Sequence, residues 1–230
     1  SGRAVADGVA VVTDYPPALP AGTLVLLGMK PYQIGAVADA LAPHCRADTP
    51  MVSILAGTTL AELRARFPMV HDIVRAMPNL PVGIGQGVTA LYADVRTSTD
   101  VTSQVETLIA PLGQAEWIAD EAQFNAVTAL SGCGPAFLFR FVDALARAAE
   151  AIGIPAEQAA RMALGTVQGA ASMAASASDS PAALADQVAS PGGMTRKGLD
   201  MLDADDRLLR LLTDTLTAAR DRGEAMARGE

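Results

Sequence analysis

The stretch Gln187-Val188-Ala189-Ser190-Pro191-Gly192-Gly193-Met194-Thr195 puts two glycines and a threonine hydroxyl where one helical pattern stops and another starts. Backbone N–H groups at a helix start lack intrahelical partners and carry partial positive charge. Glycines without Cβ atoms let a ligand come close to that backbone. Thr195 adds a group that both donates and accepts hydrogen bonds. The junction therefore suits a small anion such as a carboxylate. An isolated Pro-Gly-Gly reads more readily as a helix cap followed by a turn, so the rest of the chain has to decide.

Three further places carry chemistry-bearing types: Gly28-Met29-Lys30-Pro31, Ile54-Leu55-Ala56-Gly57 and Met77-Pro78-Asn79-Leu80-Pro81. Each sets small or polar residues directly after an apolar run, and each alone is ordinary turn chemistry. Three such junctions together describe a shared crevice, because ligands of open α/β sheets bind beyond the carboxyl ends of the strands. Lys30 reads as a cofactor or active-site charge, or as a surface lysine. Glu121 reads as a charge that offsets a cationic substrate, or as an acid opening a helix. Cys133 reads as a small packed residue. His44, His71, Cys45 and Cys133 are isolated and show no metal-ligand spacing.

The elements that must position these residues follow from the pattern. Val9–Thr13, Thr23–Gly28, Met51–Leu55 and Asp72–Ala76 read as strands, with helices over residues 32–42 and 60–67 between them. That alternation is the rhythm of a parallel α/β sheet. Gly83–Tyr92 reads as a glycine-rich strand, Ser98–Ile109 as an amphipathic helix and Gln114–Ile118 as a last strand. From Glu121 onward helices dominate: 121–130, a break at Ser131-Gly132-Cys133-Gly134-Pro135, then 136–152, 155–177, 181–188, 194–202 and 205–226. The expected division is a sheet domain over residues 1–119 and an all-helical domain over residues 120–230. The second half is rich in Ala, Met and Leu, with more apolar surface than a small bundle hides, which predicts a homodimer.

Of the 230 residues half are apolar and 18% charged, so real cores can form. The formal charge of −8, with Lys30 and Lys197 the only lysines, speaks against nucleic acid and against a polybasic membrane patch. No uninterrupted apolar run reaches the roughly 18 residues of a membrane span. Reduced thiols and a cytoplasmic location are expected.

Several segments carry a resemblance. Leu26-Leu27-Gly28-Met29-Lys30-Pro31, Ser53-Ile54-Leu55-Ala56-Gly57-Thr58-Thr59, Arg75-Ala76-Met77-Pro78-Asn79-Leu80-Pro81, Val127-Thr128-Ala129-Leu130-Ser131-Gly132-Cys133-Gly134-Pro135-Ala136-Phe137 and Asp186–Thr195 occur in one order along the chain. Together they resemble the pyrroline-5-carboxylate reductases. The resemblance implies a Rossmann-type domain, a helical domain forming an interlocked dimer and often a decamer, and hydride transfer from NADPH or NADH to 1-pyrroline-5-carboxylate, giving L-proline. It implies that Gly28, Met29, Lys30, Pro31, Ile54 and Ala56 lie along the cofactor, the last two near the nicotinamide, and that Gln187 reaches the cofactor from the helical domain. It places Glu121, Ser190, Gly192, Gly193, Met194 and Thr195 at the substrate, with Thr195 as the catalytic hydroxyl.

Two departures stand out. A dinucleotide-binding sheet opens with a strand and G-x-G-x-x-G. That first βα unit, on the order of 35–40 residues, is missing from this chain, and a protein starting at Ser1 is expected to bind cofactor weakly and not to turn over. The family often sets Asn against the adenosine ribose where this chain has Asp14 and Tyr15, so the choice between NADH and NADPH stays open. Two other readings stand beside the first. One is a reductase of the same plan acting on a different imine or a hydroxy acid. It would need an acid in the helical domain, where Lys197 is the only lysine. The other is a cofactor-free helical dimer without turnover.

Overall fold

The computed structural model describes residues 15–228. The expected strand Val9–Thr13 and the departure at Asp14 lie outside them. Five strands and nine helices are described: β1 Val25–Leu27, α1 Ile34–Leu41, β2 Met51–Ser53, α2 Leu60–Arg66, β3 Ile73–Pro78, β4 Gly87–Tyr92, α3 Thr99–Ile109, β5 Gly113–Trp117, α4 Phe124–Val127, α5 Gly134–Ala151, α6 Ala156–Ser176, α7 Pro181–Gln187, α8 Met194–Asp203 and α9 Arg207–Ala227. They form two compact units. One holds the described residues up to Gly132 together with those from Arg220, and the other is Cys133–Ala219.

In the first unit the strands form one sheet in the order β1-β2-β3-β4-β5. Strands β1, β2 and β3 are parallel, as are β4 and β5, and the β3–β4 pair is antiparallel. The expected alternation with crossover helices therefore holds on both sides of a single reversal. The reversal has a local cause, because parallel neighbours need a crossover of a dozen or more residues. Between β3 and β4 there is only a short 3-10 segment, Leu80–Ile84, ended by Gly85 in the left-handed region. This also corrects the expected strand over Gly83–Tyr92, which begins only at Gly87. Gly87 is required there: a Cβ would sit 2.9 Å from the Val82 backbone.

Strand alternation sends side chains to two cores. Leu27, Met51 and Ile73 meet α1 and α2 on one face, around Leu63 and Phe67. Val52, Val74, Ala76 and Leu91 meet Val101, Val105 and Ile109 of α3 on the other. Leu63 and Val105 are fully buried, and burying a side chain of this size stabilises by about 1.5–3 kcal/mol. Ends are set where the sequence signals them. The Thr59 hydroxyl accepts from Glu62 N and the Glu62 carboxylate accepts from Thr59 N, which starts α2. The Ser98 hydroxyl starts α3 in the same way.

The expected break at Ser131–Pro135 is not a break. Residues Thr128–Gly132 form a π-helical turn between α4 and α5. The Thr128 hydroxyl donates to Phe124 O and the Ser131 hydroxyl to Val127 O. Pro135 sits in the first turn of α5. It has no N–H to offer the Ser131 carbonyl four residues back, and that carbonyl instead accepts from Asn79 Nδ2 at 3.0 Å.

In the second unit α5 packs along α6, with Ala159 and Ala163 buried where small side chains allow close approach. No residue of α5 or α8 is buried. Leu138, Phe139, Phe141, Leu145 and Met162 are exposed. The run Glu121–Ala151 is long and apolar enough to cross a membrane by length and composition. Polar and charged residues interrupt it, so the expectation that no uninterrupted apolar run reaches span length stands. The run also carries Arg140 and Asp143, ion-paired at 3.6 Å, and its exposed apolar stripe suits a helix–helix contact between copies.

Candidate active site

At the carboxyl ends of β1 and β2 the backbone forms two adjoining shelves. Ile54 N donates to Leu27 O at 3.0 Å and Leu55 N donates to the Ser53 hydroxyl at 3.4 Å. Gly28 faces the Ile54 side chain, which a Cβ would meet at 3.7 Å. Gly28, Lys30 and Ala56 are exposed, while Met29, Pro31 and Ile54 are half-buried. Lys30 N donates to Gln33 Oε1 at 3.0 Å, which starts the turn into α1. A groove of about 380 Å³ runs from Gly28 and Met29 past Leu26 to Leu19 and Tyr15. Exposed main chain, apolar walls and a glycine that leaves room over Ile54 fit a flat heteroaromatic cofactor. Gly28, Met29, Pro31, Ile54 and Ala56 are thus gathered at one sheet end, with Lys30 the one cation among them.

The glycine junction belongs to the other unit. Helix α7 starts on the Ser180 hydroxyl, which accepts from Ala183 N at 3.2 Å. Gly192 has φ +73°, and Gly193 N donates to Ser190 O at 2.9 Å. Gly193 is the N-cap of α8 and provides no side-chain cap. The first ladder bond of the helix is Lys197 N to Gly193 O at 3.2 Å, so the amides of Met194, Thr195 and Arg196 have no helical acceptor. Ser190, Gly192, Met194 and Thr195 are exposed, and the Thr195 hydroxyl has no protein partner among the described residues. Arg196 pairs with Asp186 of α7 at 2.7 Å across the neck of the loop. Gln187 ends α7 and donates to Asp179 at 2.8 Å. The arrangement can hold a carboxylate by main-chain donors at the positive end of a helix, with a free hydroxyl beside it.

Glu121 lies in the first unit, in a cluster that residue types alone did not point to. Its Oε1 accepts from Arg75 Nη1 and from Leu60 N, both at 2.7 Å. Arg75 is 4% exposed and lies over the Phe124 ring, 3.8 Å from its centroid. Burial lowers the Arg75 pKa, against the pull of Glu121. The bonding role of Asn79 was also not read: besides its bond to Ser131 O it accepts from Val88 N at 2.9 Å, joining the end of β3 to the start of β4. The signal for Arg75 was its presence inside a quoted motif; Asn79 stood in the same motif and in the strand-end junction Met77–Pro81.

Comparison with known proteins adds the following. Residues 121–226 match the family model for pyrroline-5-carboxylate reductase dimerisation. The chain is 38% identical over 94% of its length to the pyrroline-5-carboxylate reductase of Pseudomonas aeruginosa, covering 79% of that protein. It is 32% identical over 93% of its length to the enzyme of that name from Pisum sativum, covering 77% of it. The solved reductase of Coxiella burnetii superposes with a TM-score of 0.82 at 34% identity, over 88% of this chain and 75% of that one. The Plasmodium falciparum enzyme, solved with NADP bound, superposes with a TM-score of 0.76 at 26% identity, over 89% and 82%. With identity of this level spread over both units, the chain belongs to the pyrroline-5-carboxylate reductase family.

Proposed function

We propose that this protein reduces 1-pyrroline-5-carboxylate to L-proline with NADPH or NADH, the last step of proline synthesis. Identity of 38% over 79% of a reductase supports it. The observation that carries the residue assignments is the uncapped start of α8, where the amides of Met194, Thr195 and Arg196 have no partner among the described residues.

The reading gives residues 1–119 to the cofactor and residues 120–230 to the substrate and the dimer contact. The decameric assembly and cytoplasmic location that the resemblance implies belong to it as well. Gly28, Met29, Lys30 and Pro31 line the cofactor, and Ile54 and Ala56 lie along the nicotinamide. Gln187 contributes from the helical half. Bound NAD(P)H supplies the hydride for the C=N carbon. The residues of this chain supply binding and orientation. The amides of Met194 to Arg196 take the carboxylate, Ser190 and the two glycines shape the loop around it, and the Thr195 hydroxyl hydrogen-bonds the ring nitrogen and holds the proton there. Fixing a reacting carbon in this way can account for about 7–11 kcal/mol of barrier lowering in well-oriented cases. No nucleophile is needed, in keeping with Cys133 as a packing residue.

The test is direct. The intact protein, supplied with 1-pyrroline-5-carboxylate, is expected to oxidise NADPH or NADH and yield one L-proline per nicotinamide oxidised. Oxidation with other cyclic imines or hydroxy acids but not with this substrate would replace the reading.

A further inference from the structure

Glu121 is on a 3-10 turn, Glu121–Gln123, and makes two contacts far away in sequence. One carboxylate oxygen receives both the buried guanidinium of Arg75, from β3, and the first amide of α2, Leu60 N. Arg75 is register partner of Ser53, the last residue of β2. The three groups therefore bracket the segment Ile54–Thr59, which leaves β2 and enters α2. Its other tethers are at the strand end, where Ile54 N and Leu55 N are bonded, and at Thr59, whose amide is held by Glu62. Between them, Ala56 and Gly57 make no main-chain bond to the sheet among the described residues. Gly57 lies against the backbone of Ala227, 3.7 Å from where its Cβ would be. Both partners are charged in the Arg75 contact and the acceptor is charged in the Leu60 contact, so both are of the strong class. Arg75 is too buried to be left without its carboxylate at small cost, and its guanidinium lies over the Phe124 ring, a cation–π contact.

We propose that Arg75 and Glu121 are a positioning pair for the reduction: the guanidinium fixes the carboxylate, the carboxylate pins the start of α2, and the shelf at Ile54–Ala56 is thereby held at the height the nicotinamide requires. Glu121 on this account does not touch the substrate. The inference rests on the proposed function for the role of that shelf, and on the geometry alone for the tether.

The experiment has two readouts in the intact protein. The first, hydrogen exchange by mass spectrometry over residues 54–62 without cofactor, does not depend on any activity. In Glu121→Ala, exchange in this segment is expected to speed up by about tenfold or more, as for loss of one charge-assisted bond. In Glu121→Gln, which keeps an acceptor for Leu60 N and for Arg75, protection is expected to return in large part. The second is a split of constants. Glu121→Ala is expected to weaken NADPH binding, followed by nicotinamide fluorescence, by about tenfold, and to leave the KM for 1-pyrroline-5-carboxylate at saturating NADPH within about twofold. Arg75→Met is expected to mimic Glu121→Ala in both readouts, and Arg75→Lys to recover part of the loss. Should Glu121→Ala fail to fold, Glu121→Gln and Arg75→Lys carry the same split. Unchanged exchange with a raised imino-acid KM would overturn the proposal and put Glu121 at the substrate. A protein with altered exchange but no reductase activity in its parent form would overturn the function and leave the tether standing.

Discussion

Replacing Asn79 with alanine tests how the sheet is tied to the helix that follows it. The side chain uses both ends: Nδ2 donates to Ser131 O at 3.0 Å and Oδ1 accepts from Val88 N at 2.9 Å. Each bond is worth about 0.5–1.5 kcal/mol net, and a partner left unsatisfied out of water costs about 1–3 kcal/mol. Ser131 O cannot turn to the usual helical donor, because the residue four positions on is Pro135. The side chain is part-buried, so water relieves some of the loss, and about 2–4 kcal/mol of destabilisation is expected. In a chain of this size that lowers the melting temperature by roughly 5–15 °C. Asn79→Asp separates the two bonds. It keeps an acceptor for Val88 N, loses the donor and sets a carboxylate against a carbonyl oxygen, so it is expected to be no more stable than the alanine variant at neutral pH. Urea unfolding at fixed protein concentration, followed by circular dichroism, measures both. An alanine variant within about 0.5 kcal/mol of the parent would refute the reasoning, because it would mean that neither carbonyl nor amide depends on Asn79.

Thr195→Ala is expected to lower kcat by about 10²-fold or more while leaving the unfolding midpoint unchanged, since the hydroxyl has no protein partner among the described residues; normal steady-state kinetics would take Thr195 out of the mechanism. Gly192→Ala meets open space but keeps φ +73°, so it is expected to cost about 1–2 kcal/mol through backbone strain, and Gly192→Asn less. Equal melting temperatures for the two variants would count against a strain origin. Asp94 is held by Arg64 through two bonds, 2.6 and 3.0 Å. Burial acts to raise its pKa, and the Arg64 and Arg96 contacts outweigh that and bring it below the usual carboxylate range. A folded pKa below the unfolded one gives stability that is present above about pH 4 and lost as pH falls through the folded value. Asp94→Asn is therefore expected to be less stable than the parent at neutral pH, with urea midpoints converging in acid. A gap that does not change with pH would contradict the ion-pair account.

The parts of this fold legible in the sequence are those with local causes. Apolar runs at Val25–Leu27 and Met51–Ser53, the helices over 60–67, 98–109 and 181–188, and the glycine junction before Met194 each act through neighbours a few residues away. The parts that were not legible depend on distant partners or on geometry. Glu121 finds Arg75 across 46 positions and Leu60 across 61, and Asn79 finds Ser131 across 52. No periodicity reports such pairs. The antiparallel entry of β4 turned on the length of one link, Leu80–Ile84, and glycine-rich spacing hid it by looking like strand. The helix through Ser131–Pro135 continued because a π-turn absorbs what Gly and Pro would otherwise interrupt.

The unburied α5, with Phe139 and Phe141 on its surface, has a bearing on every stability figure above. Where a homo-oligomer covers such a face, folding and association are one equilibrium, so the midpoint moves with the amount of protein in the tube. Two variants compared at unlike concentrations can differ without any change in their interiors. A substitution on α5 is felt by each copy of the pair at once, and its effect is counted twice per assembly.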